Sequence, residues 1–401
     1  MTFTFLMLLA PQSFFPVLQT FRLPLIVAIL ATATYICDRI IHNAPLSYGT
    51  REIWLIVLLT AWAALTAPLS YSPQDSWSFL LNTYSRTLVV FWLVSNVINS
   101  SERLYRTFWA LTLMAVPLAG TAIQHFLSGV YMQTGGDRIF GYDAPLTGNP
   151  NDLALMLNLI LPLTIALLLT HRSLSVRLLL LTAIFLSAAG VIVTFSRTGF
   201  LTLVTLLPLY LWKLRSRRGQ RWVWALVLLI LSCIPIVGPA YIDRLSTITN
   251  IEADKSGSAQ ERWADMSAAA AFTIDHPLFG AGIGQNHLAL LEERGPEGGI
   301  VHNVYLEYSS ELGLIGLAIF LLFYFASLKS AASVQRRAAD DGDTEMFYMG
   351  EAIQVSLIAF GVAAMFHPVA YSMYLFYFAG LAVAAKHVLA IRQDMAWKRT
   401  K

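Results

Sequence analysis

Residues 302–327 read HNVYLEYSSELGLIGLAIFLLFYFAS. The stretch opens on an imidazole and an amide and then turns apolar for the length of a bilayer crossing, which as a helix takes about 20 residues. Immediately before it, residues 240–301 form a polar stretch of 62 residues with apolar segments on both sides. Outward from there nearly everything is apolar, in runs of roughly 17–24 residues that match about 30 Å of hydrocarbon. Only 13% of the chain is charged and 56% is hydrophobic, whereas soluble domains carry about 25% charged residues. In lipid each backbone N–H and C=O needs a partner within the segment, so these runs are helices. The alternating ten-residue segments of a β-barrel are absent from the sequence. The expectation is an all-α polytopic membrane protein. Its two cysteines, Cys37 and Cys233, lie in apolar runs and read as small packing residues.

Twelve spans are expected, at about 3–20, 22–41, 52–69, 79–98, 104–127, 151–170, 175–194, 198–213, 221–240, 302–327, 346–366 and 370–391. The first holds Pro11 and Pro16 and reads as the weakest, a re-entrant or broken helix. It lacks a basic lead-in, which argues against a cleaved signal peptide. The net charge of +3 decides less than its distribution. Nineteen of the 27 Lys and Arg fall on one side of this layout, seven on the other, and Arg86 inside the fourth span. The basic side is cytoplasmic by the positive-inside rule. Both termini are then cytoplasmic, and the 240–301 loop, between spans nine and ten, is extracytoplasmic. The expected organisation is one integral membrane domain over 1–401 with this loop inserted, including a short helix at about Gln260–Phe272 capped by Ser256 or Ser258.

The extracytoplasmic face carries the candidate chemistry. Arg197 sits in the short connection Ser196-Arg197-Thr198-Gly199. It is either a snorkelling helix anchor or a fixed cation for an anionic ligand. Arg262, between Glu261 and Trp263, is either a solvated partner of Asp265 or Glu261 or a second such cation. Arginine's planar fork of donors suits phosphate oxygens, and two of them suggest a diphosphate at the membrane surface. Arg138 extends that field. Arg86, well inside a span, is expected to face a protein-lined cavity, either in a buried network or in the anion site. His302 can accept a proton near neutral pH; its bland alternative is a structural interfacial histidine. His367-Pro368 lies at the next external end and could reach the same cavity, whereas His276 and His287 read as structural. Metal-ligand spacing is not found, and Asp340-Asp341-Gly342-Asp343 reads as a solvated loop. Neither metal nor cofactor is expected.

His302-Asn303, then nine residues, Gly313, two residues and Gly316 resembles the signature of the O-antigen ligase family. Three further stretches resemble the same superfamily: Ser196-Arg197-Thr198-Gly199; Glu261-Arg262-Trp263 with His276-Pro277-Leu278-Phe279-Gly280 and Gly282 downstream; and Gly148-Asn149-Pro150-Asn151-Asp152. The resemblance implies a fold like the C-type glycosyltransferases and an O-antigen donor carried on undecaprenyl diphosphate. Arg197 and Arg262 would hold the diphosphate and His302 would serve an acceptor hydroxyl of lipid A–core. Arg138, Arg86, Asn303 and His367 are the further candidates for binding diphosphate or acceptor. The implied setting is the periplasmic face of the bacterial inner membrane, with the bilayer as a partner and neither nucleic acid nor nucleotide involved. O-antigen polymerases and protein O-oligosaccharyltransferases share these motifs. A lipid-linked oligosaccharide flippase is the rival from another class.

Overall fold

The computed structural model describes residues 2–131, 138–141, 144, 146–214 and 257–400. They form helices and connecting turns with no strand among them. The first expected span is three short helices, α1 (Thr2–Leu8), α2 (Pro11–Phe14) and α3 (Pro16–Gln19). It breaks before each proline, where the missing N–H and the ring cannot continue a helix. The following helices are α4 (Leu23–Ile41), α5 (Arg51–Thr66), α6 (Pro73–Phe79), α7 (Ser85–Val97), α8 (Ser101–Leu127), α9 (Pro150–Thr170), α10 (Leu174–Val193) and α11 (Arg197–Leu214). Beyond residue 256 come α12 (Ser258–Asp275), α13 (Asn286–Arg294), α14 (Val304–Asp340), α15 (Thr344–Ala363) and α16 (Met373–Thr400).

Eight helices among the described residues are long and apolar enough to cross a membrane, where the sequence pattern led us to expect twelve. The differences are local. Segment 3–20 is broken, and α6 and α7 are joined by a π-helical turn, Leu80–Tyr84. Helix α11 bears Arg197 and Lys213 near its two ends. Segment 221–240, with the start of the long loop and Cys233, lies outside the described residues. The loop helix begins at Ser258, but its cap is Gly257 in the left-handed conformation (φ 71°), not a serine side chain.

Helix α9 forms the centre of the bundle and is buried from Leu153 to Leu168. It starts where it does because Asn149 caps it, its Oδ1 accepting from the N–H groups of Asn151 and Asp152 at 2.9 Å each, with Pro150 as first residue. Two glycines let neighbours close on this axis. A Cβ at Gly199 would lie 2.4 Å from that of Ala154, and one at Gly190 would lie 2.9 Å from that of Ala119. Small residues allow such close helix approach in membrane bundles. Asn158 Nδ2 donates to Gly199 O across the contact at 2.9 Å, which fixes the start of α11 against α9.

The 37 residues of α14 cannot be one straight rod. At 1.5 Å per residue Tyr305 and Tyr324 would sit about 28 Å apart. Yet their hydroxyls donate to Gly361 O and Leu357 O, one turn apart on α15. The helix folds back at Gly313 (φ 68°, ψ −177°). Residues 276–286 cross this break as a strap. Leu314 N donates to Pro277 O, Ala281 N to Ser310 O and Gly282 N to Glu311 O, at 2.8–2.9 Å. A Cβ at Gly313 would lie 2.2 Å from Leu278 O. The first glycine of the sequence signature is therefore where loop and helix backbones touch.

Candidate functional site

The starts of α9, α11 and α14 and the end of α15 meet at one end of the bundle, and most of the expected site residues fall there. His302 is half-buried two residues ahead of α14. Its Nδ1–H donates to Ile300 O at 2.9 Å, which leaves Nε2 as the unprotonated nitrogen of the neutral ring. Burial pushes the imidazole down to about pKa 4. The cationic Arg262 adds to this, as does His367, against the opposing pull of the Ile300 carbonyl and Asp265. Arg262, His367 and Asp265 thus lie within electrostatic reach of His302.

Arg262 is in the second turn of α12, and Asp265 one turn further on is buried. Asp265 pairs with Arg294 and also accepts from Gly299 N at 3.4 Å. Asn303 caps α14: its Oδ1 accepts from Tyr305 N (2.9 Å) and Leu306 N (3.1 Å), while Nδ2 donates to Met365 O (3.1 Å). Its amide thus does local structural work beside His302.

A second cluster surrounds the start of α9. Asn151 Oδ1 accepts from Arg138 Nη2 (2.6 Å) and from Ser196 Oγ (2.7 Å). Ser196 directly precedes the half-buried Arg197, and Phe195 before it has φ 54°, left-handed backbone that is strained for an aromatic residue. Asp152, the next residue after Asn151, bonds His367 Nε2 through Oδ1 at 2.8 Å. His367 is buried and is also one of the groups acting on His302. Hydrogen bonds thus link Arg138 and Ser196 through Asn151, and Asp152 to His367, which lies within electrostatic reach of His302.

Arg86 is the correction. It follows the π-helical turn at the start of α7 and is exposed, not directed into a protein-lined cavity. His276 packs against α12. Its ring stacks on Phe272 with centroids 4.3 Å apart, and Nε2 hydrogen-bonds to Tyr71 Oη at 3.1 Å. Asp341 and Asp343 sit in the turn between α14 and α15, where Asp343 caps α15 and pairs with Arg392. Among the described residues no group of three His, Cys, Asp or Glu side chains could hold a metal ion.

Sequence reading passed over Asn151, Asp152, Ser196 and Asp265 as individual site residues. The first three were visible within the quoted Gly148–Asp152 and Ser196–Gly199 stretches, and Asp265 as a partner of Arg262. A carboxylate in the first turn of a strongly apolar helix, as Asp152 is, was the available signal.

An all-helical membrane bundle with arginines and a neutral imidazole gathered at one end is the class of molecule these residues define. Residues 182–321 match the family model described as O-antigen ligase, Wzy_C. The match takes in Arg197, Arg262, His302, Gly313 and Gly316, and this part of the chain is similar to the O-antigen ligase family. Members of the family are glycosyltransferase-like enzymes, ligases and polymerases, that work on lipid-linked glycans in a bilayer. No curated protein matches the chain.

Proposed function

We propose that the protein is an O-antigen ligase, an inverting glycosyltransferase that moves a preassembled polysaccharide from undecaprenyl diphosphate to a sugar hydroxyl of lipid A–core, on the periplasmic face of the inner membrane. The observation that carries this reading is the convergence of Arg262 and His302, with His367, at the end of the bundle where Arg197 also lies. The bare Nε2 of His302 accepts the hydrogen bond of the acceptor hydroxyl and takes its proton. The hydroxyl oxygen attacks the anomeric carbon from the side opposite the diphosphate, and the carbon–oxygen bond to the diphosphate breaks. The electron pair leaves with the diphosphate, where Arg197 and Arg262 stabilise the growing charge. A ring held near pKa 4 is neutral at physiological pH and ready to accept. A diphosphate beside Arg262 offsets the cation that depresses the imidazole, so His302 becomes a stronger base once the donor is bound. The chemistry is proposed to need neither metal nor nucleotide, because diphosphate already leaves readily.

The test is a strain deleted for this protein and complemented with wild type, His302→Ala, Arg197→Ala or Arg262→Ala. Lipopolysaccharide and carrier-linked glycan are both assayed. Long-chain lipopolysaccharide restored by wild type alone, with full-length glycan stalled on the carrier in the variants, is the expected result. Single repeat units on the core would identify a polymerase, and normal ladders from all three variants would remove the site assignment.

A further inference from the structure

Asn286 opens α13 at the end of the strap, and its side chain makes two contacts that decide each other. Nδ2 donates to Glu311 Oε1 at 2.6 Å, while Oδ1 accepts from Val301 N at 3.2 Å. Glu311 is fully buried, and its carboxylate also receives Gly284 N at 2.7 Å and Asn286 N at 3.1 Å. The Val301 N–H can only donate, so it turns the amide oxygen of Asn286 toward itself and leaves Nδ2 to face the Glu311 carboxyl.

The Val301 N–H belongs to the same peptide unit as the Ile300 carbonyl. That unit is planar, with N–H and C=O pointing in opposite directions. Asn286 therefore grips one edge of a rigid plate whose other edge holds Nδ1–H of His302. The neighbouring restraints, Asp265 on Gly299 N and the Asn303 cap, hold the chain on either side but do not touch this peptide.

We propose that Asn286, held by Glu311, is the positioning residue that fixes the tautomer and aim of His302 through the Ile300–Val301 peptide. The proposal rests on His302 being the base. It gives the buried Glu311 a task in the reaction, transmitted from the strap that crosses the break at Gly313. Without Asn286 the peptide turns, the Ile300 carbonyl leaves Nδ1, and the proton distributes over both ring nitrogens, so that a fraction of molecules present Nε2–H to the acceptor hydroxyl.

The experiment is ¹⁵N magnetic resonance of histidine-labelled full-length protein in lipid nanodiscs at pH 7, with the His302 signals identified by difference from His302→Gln. It is joined to steady-state transfer from a polyprenyl-diphosphate glycan. Wild type is expected to show a protonated Nδ1 and a bare Nε2 at His302. Asn286→Ala is expected to show both tautomers, with kcat lower by about ten- to a hundredfold, the scale of losing a group that orients a functional histidine, and donor KM within about twofold. A wild-type His302 protonated at Nε2 overturns the proposal whatever the variants do. So does Asn286→Ala with an unchanged tautomer, whether or not kcat falls, since a fall alone marks a merely structural role. Absence of glycan transfer by wild type would instead defeat the functional reading, and the tautomers of wild type and Asn286→Ala would still decide whether Asn286 positions the ring.

Discussion

The turn around His302 and the helix around Arg86 make opposite use of an ionisable residue in an apolar chain. His302 lies in a turn whose backbone is held by Asp265, Asn286 and Asn303. Arg86 follows a π-helical turn and is exposed. From the sequence the two carry similar weight, because an ionisable group near or within a span is expensive and so suggests function. The difference teaches that cost alone does not locate a site. What distinguishes His302 is the number of separate segments that converge on it.

The comparison breaks most directly at the base. His302→Ala should lower transfer by at least about a hundredfold, the lower end of what a positioned general base contributes. This is read as initial rate with saturating donor. Arg197→Ala and Arg262→Ala should each cost about a hundredfold, roughly 3 kcal/mol, by analogy with losing one donor to a developing negative charge. Next comes the strap. Gly313→Ala puts a side chain at φ 68° and 2.2 Å from Leu278 O. It should destabilise the protein by about 1–3 kcal/mol, seen as a lower melting temperature in detergent, with activity reduced even below the transition.

The pH dependence sharpens the comparison. The base must be unprotonated, and its pKa in the free protein is pushed down to about 4. The acid limb of kcat/KM should therefore fall near pH 4, well below the 6.5 of an ordinary histidine. Removing a neighbouring cation raises the value, so Arg262→Gln should move that limb upward. Because burial is the larger cause, the limb should stay below 6.5. Stability follows the same sign: a depressed histidine contributes stability that is complete above about pH 6.5 and is lost as pH falls toward 4. The smallest effect should be Arg86→Gln, within about twofold of wild type in the same assay.

Much of the fold was legible because lipid leaves so few options. Apolar runs of bilayer length have to be helices, and the boundaries of α4, α5 and α8–α10 fall within a few residues of those expected. Hydropathy could not say which helix is central. Helices α4 and α9 are both apolar enough to cross, yet the best window of α9 is 89% buried and that of α4 is 0% buried. In a bilayer an apolar side chain is equally content facing lipid or protein. The informative residues were polar ones such as Asn158, which must find a partner inside. The break at Gly313 was hidden for a related reason, since the apolar pattern runs through it and only the signature glycine marks it. His302, Arg197 and Arg262 were legible as residue types in a suggestive place. The links through Asn151, Asp152 and His367 were not, because they join positions up to 215 residues apart.

The most direct test of the central claim is transfer by purified protein in liposomes, given a polyprenyl-diphosphate-linked glycan and lipid A–core, with product and released diphosphate lipid both quantified. Wild type and Arg86→Gln should form the glycan–core product with matching release of the carrier, and His302→Ala should form almost none. Product from His302→Ala at the wild-type rate would contradict the account, because the residue on which the converging segments close would then have no part in the reaction.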